Sequence, residues 1–266
     1  MGYFKDKVIW IVGASSGIGK ALAYDMAKGE ANLILSSRNT EELDRIRKEC
    51  LKFTRRCSVK QVDLEQNDHF SIEVNDVKSE YGKIDYLLLV GGVSQRSLVS
   101  ETPVSLDRKL MEINYFGTVA LAKAVLPVMI GQKSGHIVVV TSIAGKFGWP
   151  QRSAYSASKH ALHGFFDTLR AEQKENNIDI TIAVPGRVKT SISENALKND
   201  GSKYGRLDEG QENGISAKSC SKQIINAIIK NKKEILIGGK EIYMVWIRKY
   251  FPSLYYRLAA KMEPNK

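Results

Sequence analysis

Two kinds of segment alternate along the chain. Short apolar runs rich in β-branched residues are typical of buried parallel strands, and longer helix-forming stretches separate them. The predicted strands cover residues 8–12, 32–36, a short segment ending at 62–63, 84–90, 135–141, 178–184 and 234–237. The predicted helices cover residues 20–28, 41–50, 68–81, 154–175 and 216–230. A further long helix is predicted to open with Thr102 as its cap and Pro103 at its first position.

Alternation this regular predicts an α/β protein whose parallel sheet is covered by helices on both faces. With 266 residues, 43% of them hydrophobic, the chain can build one large core or two small ones. No proline- or serine-rich linker and no repeat interrupts the sequence. We therefore predict a single domain over residues 1–266.

Small and polar residues follow several of the predicted strands. They are a glycine-rich loop after the first strand, then Asp63, Gly91-Gly92, Ser142 and Pro185-Gly186. Ligands of open parallel sheets bind beyond the carboxyl ends of the strands. The sequence therefore predicts one ligand site built from these segments.

The glycine-rich loop has the spacing Gly-x-x-x-Gly-x-Gly, with glycines at 13, 17 and 19. Glycines at a strand-to-helix turn let the backbone approach a pyrophosphate, which then rests on the helix N-terminus. A glycine triplet alone often marks an ordinary turn. A strand before it and a helix after it favour a dinucleotide site.

Tyr155 and Lys159 are four residues apart in a stretch that predicts a helix. One helical turn places the phenol beside the ammonium group. A cation within about 4–6 Å favours the phenolate and lowers the pKa of a tyrosine from its usual value near 10. The pair predicts an acid–base device, although the same spacing also occurs by chance on exposed helices.

With these residues assembled, the chain resembles the short-chain dehydrogenase/reductase family over nearly its full length. The matching residues are the loop glycines, Asp63, Asn114, Ser142, Tyr155, Lys159, Pro185, Gly186, Val188 and Thr190. Segments 91–97 and 157–161 are most similar to the branch called dehydrogenase/reductase members seven and seven-B. The resemblance implies a single Rossmann-type, doubly wound domain and an oxidoreductase that interconverts a carbonyl and an alcohol.

The resemblance also implies a role for each catalytic residue. Tyr155 would exchange a proton with the substrate oxygen, and Lys159 would lower the pKa of Tyr155 and hold the nicotinamide ribose. Ser142 would hydrogen-bond the carbonyl oxygen, where negative charge builds during reduction. Asn114 would hold a water that links Lys159 to solvent, and Thr190 would orient the nicotinamide ring.

The second predicted strand bears on the choice of cofactor. Relatives that bind NAD usually end this strand with an acidic residue, whereas this chain has Ser37, followed by Arg38. An arginine can hold a 2′-phosphate with its planar fork, although Arg38 could also be a solvated loop residue. We therefore predict NADP(H). The predicted cofactor-binding residues are Gly13, Ser15, Ser16, Gly17, Ile18, Gly19, Ser37, Arg38, Asn39, Asp63, Leu64, Gly91, Gly92, Tyr155, Lys159, Pro185, Gly186, Val188 and Thr190.

Two segments depart from the family pattern. Val12 replaces a threonine before the first glycine, and Leu89-Val90 replace two asparagines before the glycines of the fourth strand. Removing both partners of a buried hydrogen bond can be nearly neutral, so these changes are expected to compensate each other through apolar packing.

The C-terminal part of the chain is basic and aromatic. The formal net charge is +11, and residues 241–266 hold six aromatic residues among lysines and arginines. Three interpretations stay open: an amphipathic helix packed on the domain, contact with an anionic membrane surface and, less favoured, binding to nucleic acid.

By analogy with relatives, a homodimer or homotetramer is expected through the helices that carry Asn114 and Tyr155.

The sequence suggests a cytoplasmic protein without a metal. No apolar run approaches the ~20 residues that cross a bilayer, and the N-terminus has no signal-peptide core. The three cysteines are scattered, and neither they nor the histidines have metal-ligand spacing.

The substrate is expected to be a medium-sized, apolar carbonyl compound. An apolar wall would be formed by Ile143, Phe147, Trp149 and Pro150, and segment 191–215 is predicted to be a mobile lid.

Two alternatives to a carbonyl reductase or alcohol dehydrogenase remain: a catalytically idle dinucleotide-binding scaffold or redox sensor, and a sugar-nucleotide epimerase or dehydratase. The four intact catalytic positions argue against the first, and the short C-terminal region argues against the second.

Overall fold

The computed structural model describes residues 2–261, in which strands and helices alternate as the sequence predicts. The strands are β1 (Val8–Val12), β2 (Asn32–Ser37), β3 (Cys57–Gln61), β4 (Tyr86–Leu89), β5 (Gly135–Val140), β6 (Ile178–Pro185), β7 (Val188–Lys189), β8 (Ile215–Ser216) and β9 (Glu234–Ile237). The α-helices are α1 (Gly17–Ala27), α2 (Thr40–Cys50), α3 (Phe70–Tyr81), α4 (Val104–Met111), α5 (Gly117–Gln132), α6 (Ser153–Glu172), α7 (Glu209–Glu212), α8 (Ala217–Ile229), α9 (Tyr243–Tyr250) and α10 (Pro252–Ala259).

The central sheet has seven parallel strands in the order β3-β2-β1-β4-β5-β6-β9. The chain moves outward in one direction from β1 to β3 and then crosses back to β4. The carboxyl ends of β1 and β4 therefore lie side by side at the point where the strand order reverses, which is where such sheets bind dinucleotides. The predicted doubly wound parallel sheet is confirmed.

Successive strand residues face opposite sides of the sheet, so β1 contributes to two separate cores. Trp10 packs into a core with residues of α3, α5 and α6. Its neighbours Ile9 and Ile11 pack into a second core with residues of α1, α2 and α8. A continuous apolar run is therefore needed because both faces of the sheet are covered.

Three of the boundaries that differ from the prediction lie close to the predicted ligand site. β3 ends at Gln61, so Asp63 lies in the loop beyond the strand. α1 already begins at Gly17, which places two of the loop glycines in its first turn. At α4, Pro103 itself occupies the cap position, and the Thr102 hydroxyl donates to Leu98 O at 2.7 Å instead of capping the helix.

The helical stretch Val104–Gln132 is long and apolar enough to span a membrane by length and composition alone. It was missed as a candidate because the sequence contains no uninterrupted apolar run of that length. Half of its most apolar window is buried inside the protein, where α5 contributes to the core beneath the sheet. A core helix of a folded domain passes the same test, so the stretch is weak evidence for a membrane span.

The C-terminal helices α9 and α10 have two different faces. Met244, Val245 and Ile247 pack against the core, and the buried Tyr255 donates to Gly148 O at 3.1 Å. Other aromatic side chains of this region are exposed, among them Trp246 and Phe251. The packed-helix interpretation thus describes one face only. The predicted tail 241–266 includes residues 262–266, which lie outside the described residues.

Candidate active site

A cavity of about 800 Å³ opens at the carboxyl ends of the central strands. Every predicted site residue except Asn114 lines it. The cavity runs from the loop after β2, past the glycine loop and the end of β4, to Tyr155 and the segment after β7. One continuous space therefore connects the predicted adenosine end with the predicted catalytic residues.

Close backbone approach explains the glycines of the loop after β1. Gly13 has a φ of +90°, and a Cβ there would lie 2.5 Å from the backbone nitrogen of Gly91. A Cβ on Gly19 would collide with the carbonyl oxygen of Gly13. Gly17, with a φ of +52°, opens α1 and faces Thr190, whose Cγ2 would be 3.0 Å from an added Cβ. The first turn of α1 consequently presents its N–H groups to the cavity without side chains in between.

Ser37 and Asn39 form hydrogen bonds that connect the end of β2 to the start of α2. The Asn39 side chain caps α2 by accepting from Glu42 N at 3.0 Å, and Ser37 Oγ accepts from Asn39 N at 3.1 Å. Arg38 between them is exposed, lines the cavity and forms no ion pair within residues 2–261. Its guanidinium is therefore available to a ligand.

Gly91 and Gly92 follow β4 and bring three other segments close to the cavity floor. A Cβ on Gly91 would lie 2.9 Å from the Leu64 side chain. A Cβ on Gly92 would lie 3.0 Å from Asn114 Oδ1 and 3.3 Å from Lys159 Nζ. Side chains here would fill the cradle, so the residues present fit a bound dinucleotide.

Asn114 lies in a π-helical turn, Glu112–Phe116, between α4 and α5. Its buried side chain donates to Val93 O at 2.9 Å and to Ser158 Oγ at 3.1 Å, and it accepts from Val93 N at 2.8 Å. The side chain therefore connects the helix to the segment after β4 and to α6. The water-holding role that the resemblance implied stays a prediction.

Ser142 and Tyr155 are neighbouring lining residues of the cavity. Ser142 Oγ accepts from Ala144 N at 3.1 Å, which leaves its own proton free to be donated. Tyr155 is buried, and burial raises the pKa of its phenol above the usual value, while the Ser142 hydroxyl and the charges of Arg152 and Arg96 act in the opposite direction. The expected lowering by Lys159 is wrong for this environment, because desolvation of the phenolate outweighs the nearby charges.

Lys159 is almost fully buried, with its Nζ 3.0 Å from Val140 O and 5.8 Å from the centroid of the Tyr155 ring. The predicted juxtaposition of phenol and ammonium is therefore present. Burial lowers the pKa of Lys159 to about 8, since no carboxylate within residues 2–261 compensates its charge. One hydrogen bond to Val140 leaves further N–H groups for a ligand.

The segment after β6 closes the cavity from the other side. Gly186 N donates to Ile237 O at 2.7 Å, and Thr190 Oγ1 lies 3.4 Å from Val188 O. Thr190 also touches the Gly17 position, as described above. These contacts bring four residues that are distant in sequence next to the glycine loop: Pro185, Gly186, Val188 and Thr190.

The two departures from the family pattern lie beside each other. Val12 pairs with Leu89 in the parallel register of β1 and β4, and both side chains pack in the same core. Val90 N and Gly91 N both donate to Val12 O, at 2.9 and 3.0 Å. The strands are thus connected by backbone bonds and apolar contact, which is the compensation that the sequence predicts.

Sequence reasoning missed a charged group at the far end of the cavity. Arg96, Arg152 and Asp208 line it together, although Asp208 is 112 residues from Arg96. No local motif marks these residues. An arginine three positions before Tyr155 was the one available signal.

The predicted apolar wall is only partly present. Ile143 and Trp149 line the cavity, but Phe147 is buried in the core against Trp149 and Tyr255, and Pro150 is not among the lining residues. Phe147 therefore supports the wall from behind. The predicted lid is held in place by Asp208 and by pairing of Leu197 with Gln95.

The histidines and cysteines, which were considered as metal ligands, do not line the cavity. Within residues 2–261, no group of three or more His, Cys, Asp or Glu side chains could hold a metal ion. All three cysteines are buried free thiols, and Cys50, Cys57 and Cys220, which looked scattered in sequence, pack in the same core.

Comparison with known proteins supplies a family context. A family model described as short chain dehydrogenase matches residues 7–201. The chain is 39% identical over 260 residues to a dehydrogenase/reductase SDR family protein 7-like from Drosophila melanogaster, covering 96% of this chain and 80% of that protein. It is 40% identical over 263 residues to dehydrogenase/reductase SDR family member 7B from Mus musculus, covering 97% and 81%. A solved short-chain dehydrogenase from Streptomyces avermitilis superimposes with a TM-score of 0.82 at 26% identity, covering 96% of this chain and 95% of that one.

Proposed function

Because this chain belongs to the short-chain dehydrogenase family of oxidoreductases, which bind a nicotinamide dinucleotide, we propose that it is an NADP(H)-dependent carbonyl reductase or alcohol dehydrogenase. One observation carries the proposal. Ser142, Tyr155 and Lys159 line the same cavity as the glycine loop, so a substrate beside the phenol would also lie beside a bound cofactor.

Tyr155 acts as the general acid when a carbonyl is reduced. Its raised pKa keeps the phenol protonated at neutral pH, which is the form that reduction needs. Ser142 donates its free proton to the same carbonyl oxygen and stabilises the charge that develops there. When bound, a nicotinamide cofactor would supply the hydride that the carbonyl carbon accepts.

Lys159 replaces the proton that Tyr155 gives up. Its pKa of about 8 lies close to neutrality, so it can both hold and release a proton there. It also offers N–H groups to the hydroxyls of a bound ribose. Asn114 fixes the segment beneath it, since its amide and Lys159 Nζ both adjoin the Gly92 position.

Arg38 favours NADP(H) over NAD(H). It lies at the predicted adenosine end of the cavity without an ionic partner within residues 2–261, and the neighbouring Ser37 has no charge that repels a phosphate. A 2′-phosphate would form charge-assisted hydrogen bonds with this guanidinium.

The walls near Tyr155 suit a medium-sized substrate with an apolar portion. Ile143 and Trp149 offer apolar surface, and Val93, Ile192 and Leu197 add to it. An idle scaffold would leave Tyr155, Ser142 and Lys159 without a shared task.

The decisive experiment is turnover with purified protein. We expect oxidation of NADPH with at least one ketone or aldehyde from a panel of cyclic, aliphatic and aromatic carbonyl compounds. Binding of NADPH without turnover of any member would favour the scaffold or redox sensor.

Outside the active site, we propose a cytoplasmic homo-oligomer that makes peripheral contact with anionic membranes and not with nucleic acid. Phe116, at the start of α5, is 49% exposed next to Tyr115 and Phe165, as expected of a surface between copies. The exposed aromatic and basic residues of α9 and α10 support the membrane contact.

A further inference from the structure

Asp208 lies between two arginines at the end of the cavity that contains Tyr155. Its Oδ2 accepts from Arg96 Nε at 3.1 Å and from Arg152 Nη2 at 2.9 Å. The side-chain exposures of Arg96, Asp208 and Arg152 are only 1%, 2% and 14%. Two guanidinium groups face one carboxylate, so one positive charge is left uncompensated in this largely buried cluster.

Arg96 and Arg152 use their donors differently. Arg96 donates to Asp208, to Ser94 Oγ at 2.7 Å and to Gln95 O at 2.5 Å, which commits most of its N–H groups to the protein. Arg152 donates only through Nη2, and its Nε and Nη1 have no hydrogen-bond partner within residues 2–261. Arg152 lines the cavity, so these unpaired donors are available to an anionic ligand there.

The position of Arg152 relates it directly to the reaction. It is the cap residue of α6, and Tyr155 lies one helical turn further on the same face. Both residues line the cavity, and the charge of Arg152 acts to lower the pKa of the Tyr155 phenol, against the larger effect of burial. Arg152 also lies over the Trp149 ring at 5.8 Å, which orients its planar fork.

Other basic side chains extend this charge toward solvent. Arg187 lies on the Trp149 ring as well, at 5.8 Å, and Arg187 and Lys203 both line the cavity. Asp208 is the acidic lining residue at this end, and the other acidic lining residue, Asp63, belongs to the loop after β3. The substrate end therefore attracts anions while Ile143 and Trp149 keep part of it apolar.

We propose that Arg152 determines substrate specificity by binding an oxyanion, a carboxylate or phosphate group, on the carbonyl substrate. This inference rests on the proposed carbonyl reduction and deepens it. Arg96 and Asp208 position Arg152: Asp208 anchors one side of the guanidinium and leaves the other side facing the cavity. The substrate then has an apolar body, a carbonyl at Tyr155 and an anionic group at Arg152.

Matched pairs of carbonyl compounds test the proposal. The pairs are 4-oxopentanoate and its methyl ester, 6-oxoheptanoate and its methyl ester, and hydroxyacetone phosphate and hydroxyacetone. We expect kcat/KM of the wild-type protein with NADPH to be about tenfold or more higher for the anionic member of at least one pair. A preference for the carboxylates over their methyl esters would identify a carboxylate as the bound group. A preference for hydroxyacetone phosphate over hydroxyacetone would identify a phosphate.

Arg152→Gln should remove this preference. KM for the anionic member should rise about ten- to hundredfold, and the ratio of kcat/KM between the anionic and the neutral member of a pair should fall toward one. Arg206→Gln is the matched control, because Arg206 is an exposed arginine of the lid segment, two residues from Asp208, and does not line the cavity. If Arg152→Gln does not fold, Arg152→Lys keeps the charge, loses the planar fork and should reduce the preference partially.

Two results overturn the proposal: no anion preference in the wild-type protein, or an equal loss for both members of a pair in Arg152→Gln. If no compound is reduced, the proposed function fails, and calorimetric binding to the NADPH-loaded protein decides the inference separately. Tighter binding of 4-oxopentanoate than of its ester, abolished in Arg152→Gln, would keep the anion site. Equal binding of both would end it.

Discussion

The Asn114 side chain both donates to and accepts from the backbone of Val93, which links the π-helical turn before α5 to the segment after β4. The Asn114 amide donates to Val93 O at 2.9 Å and its carbonyl oxygen accepts from Val93 N at 2.8 Å. The backbone after β4 cannot pair with a neighbouring strand here, so a side chain satisfies both of its polar groups. This connection sets the distance between the segment around Gly92 and the buried Lys159.

Asn114→Ala should destabilise the protein and disturb the site. Three hydrogen bonds are lost at a fully buried position, and unsatisfied buried groups cost about 1–3 kcal/mol each. We expect the free energy of unfolding in urea to fall by roughly that amount or more. Asn199→Ala, at an exposed position, should change little. Unchanged stability of Asn114→Ala would contradict the structural role.

Tyr155→Phe should leave NADPH binding nearly intact and remove the proton donor. General acids contribute about 10²–10⁴-fold to a rate. We expect kcat to fall by at least a factor of about 10² on any accepted substrate, measured with cofactor affinity by fluorescence titration. A variant that keeps more than about a tenth of the wild-type rate would show that another group is the acid.

Arg38→Ala should weaken NADPH binding and barely affect NADH. The lost charge-assisted hydrogen bonds correspond to roughly a ten- to hundredfold increase in the dissociation constant for NADPH. Arg45→Ala is a control, because Arg45 is an exposed arginine on α2 that already pairs with Glu42. Equal losses for both cofactors, or a wild-type preference for NADH, would overturn the NADP(H) assignment.

His136 should make the protein lose stability as the pH falls. Burial lowers the pKa of His136 to about 4 from its ordinary 6.5, and its Nε2 lies 2.8 Å from Thr181 Oγ1. Below pH 6.5 this histidine takes up a proton in the unfolded chain, whereas in the folded protein it stays neutral until about pH 4. Stability therefore decreases between about pH 6.5 and 4, by about 3 kcal/mol at most.

The measurement is urea unfolding across that pH range for three proteins. His136→Asn should show a flatter pH dependence than the wild-type protein. His160→Asn, which changes an exposed histidine on α6, should follow the wild-type curve. Parallel curves for all three would mean that the imidazole of His136 accepts its proton in the folded state as easily as in the unfolded one.

The exposed aromatic residues of the C-terminal helices should bind anionic vesicles at low salt. Trp246 and Phe251 are 46% and 63% exposed, and basic side chains such as Lys249 lie beside them. Such residues place rings at the headgroup boundary, and each nearby cation adds about 1 kcal/mol, which salt weakens.

Substitution tests the membrane contact better than truncation of the C-terminal helices. Truncation would also remove core contacts, because Tyr255 and the inner face of α9 belong to the core. Trp246→Ser combined with Phe251→Ser should abolish co-sedimentation with phosphatidylserine vesicles. Phe53→Ser, which removes an aromatic that is 50% exposed elsewhere, should not. Binding that survives the double substitution, or no binding at low salt, would favour a packed helix pair without membrane contact.

The sequence by itself determined the sheet, its faces and the location of the cofactor groove. Apolar runs such as that of β1 and the glycines at 13, 17 and 19 act through their nearest neighbours, because strand formation and tight turns depend on adjacent residues. Strand–helix alternation then placed the carboxyl ends of β1 and β4 together.

The tertiary structure alone decided which charges meet at the substrate end and how the catalytic groups ionise. Asp208 joins Arg96 and Arg152 across 112 and 56 positions, and no local pattern encodes that contact. The spacing of Tyr155 and Lys159 predicted a lowered pKa for the phenol, but burial reverses the direction. Desolvation depends on every element packed around a group, and spacing along one helix contains no information about it.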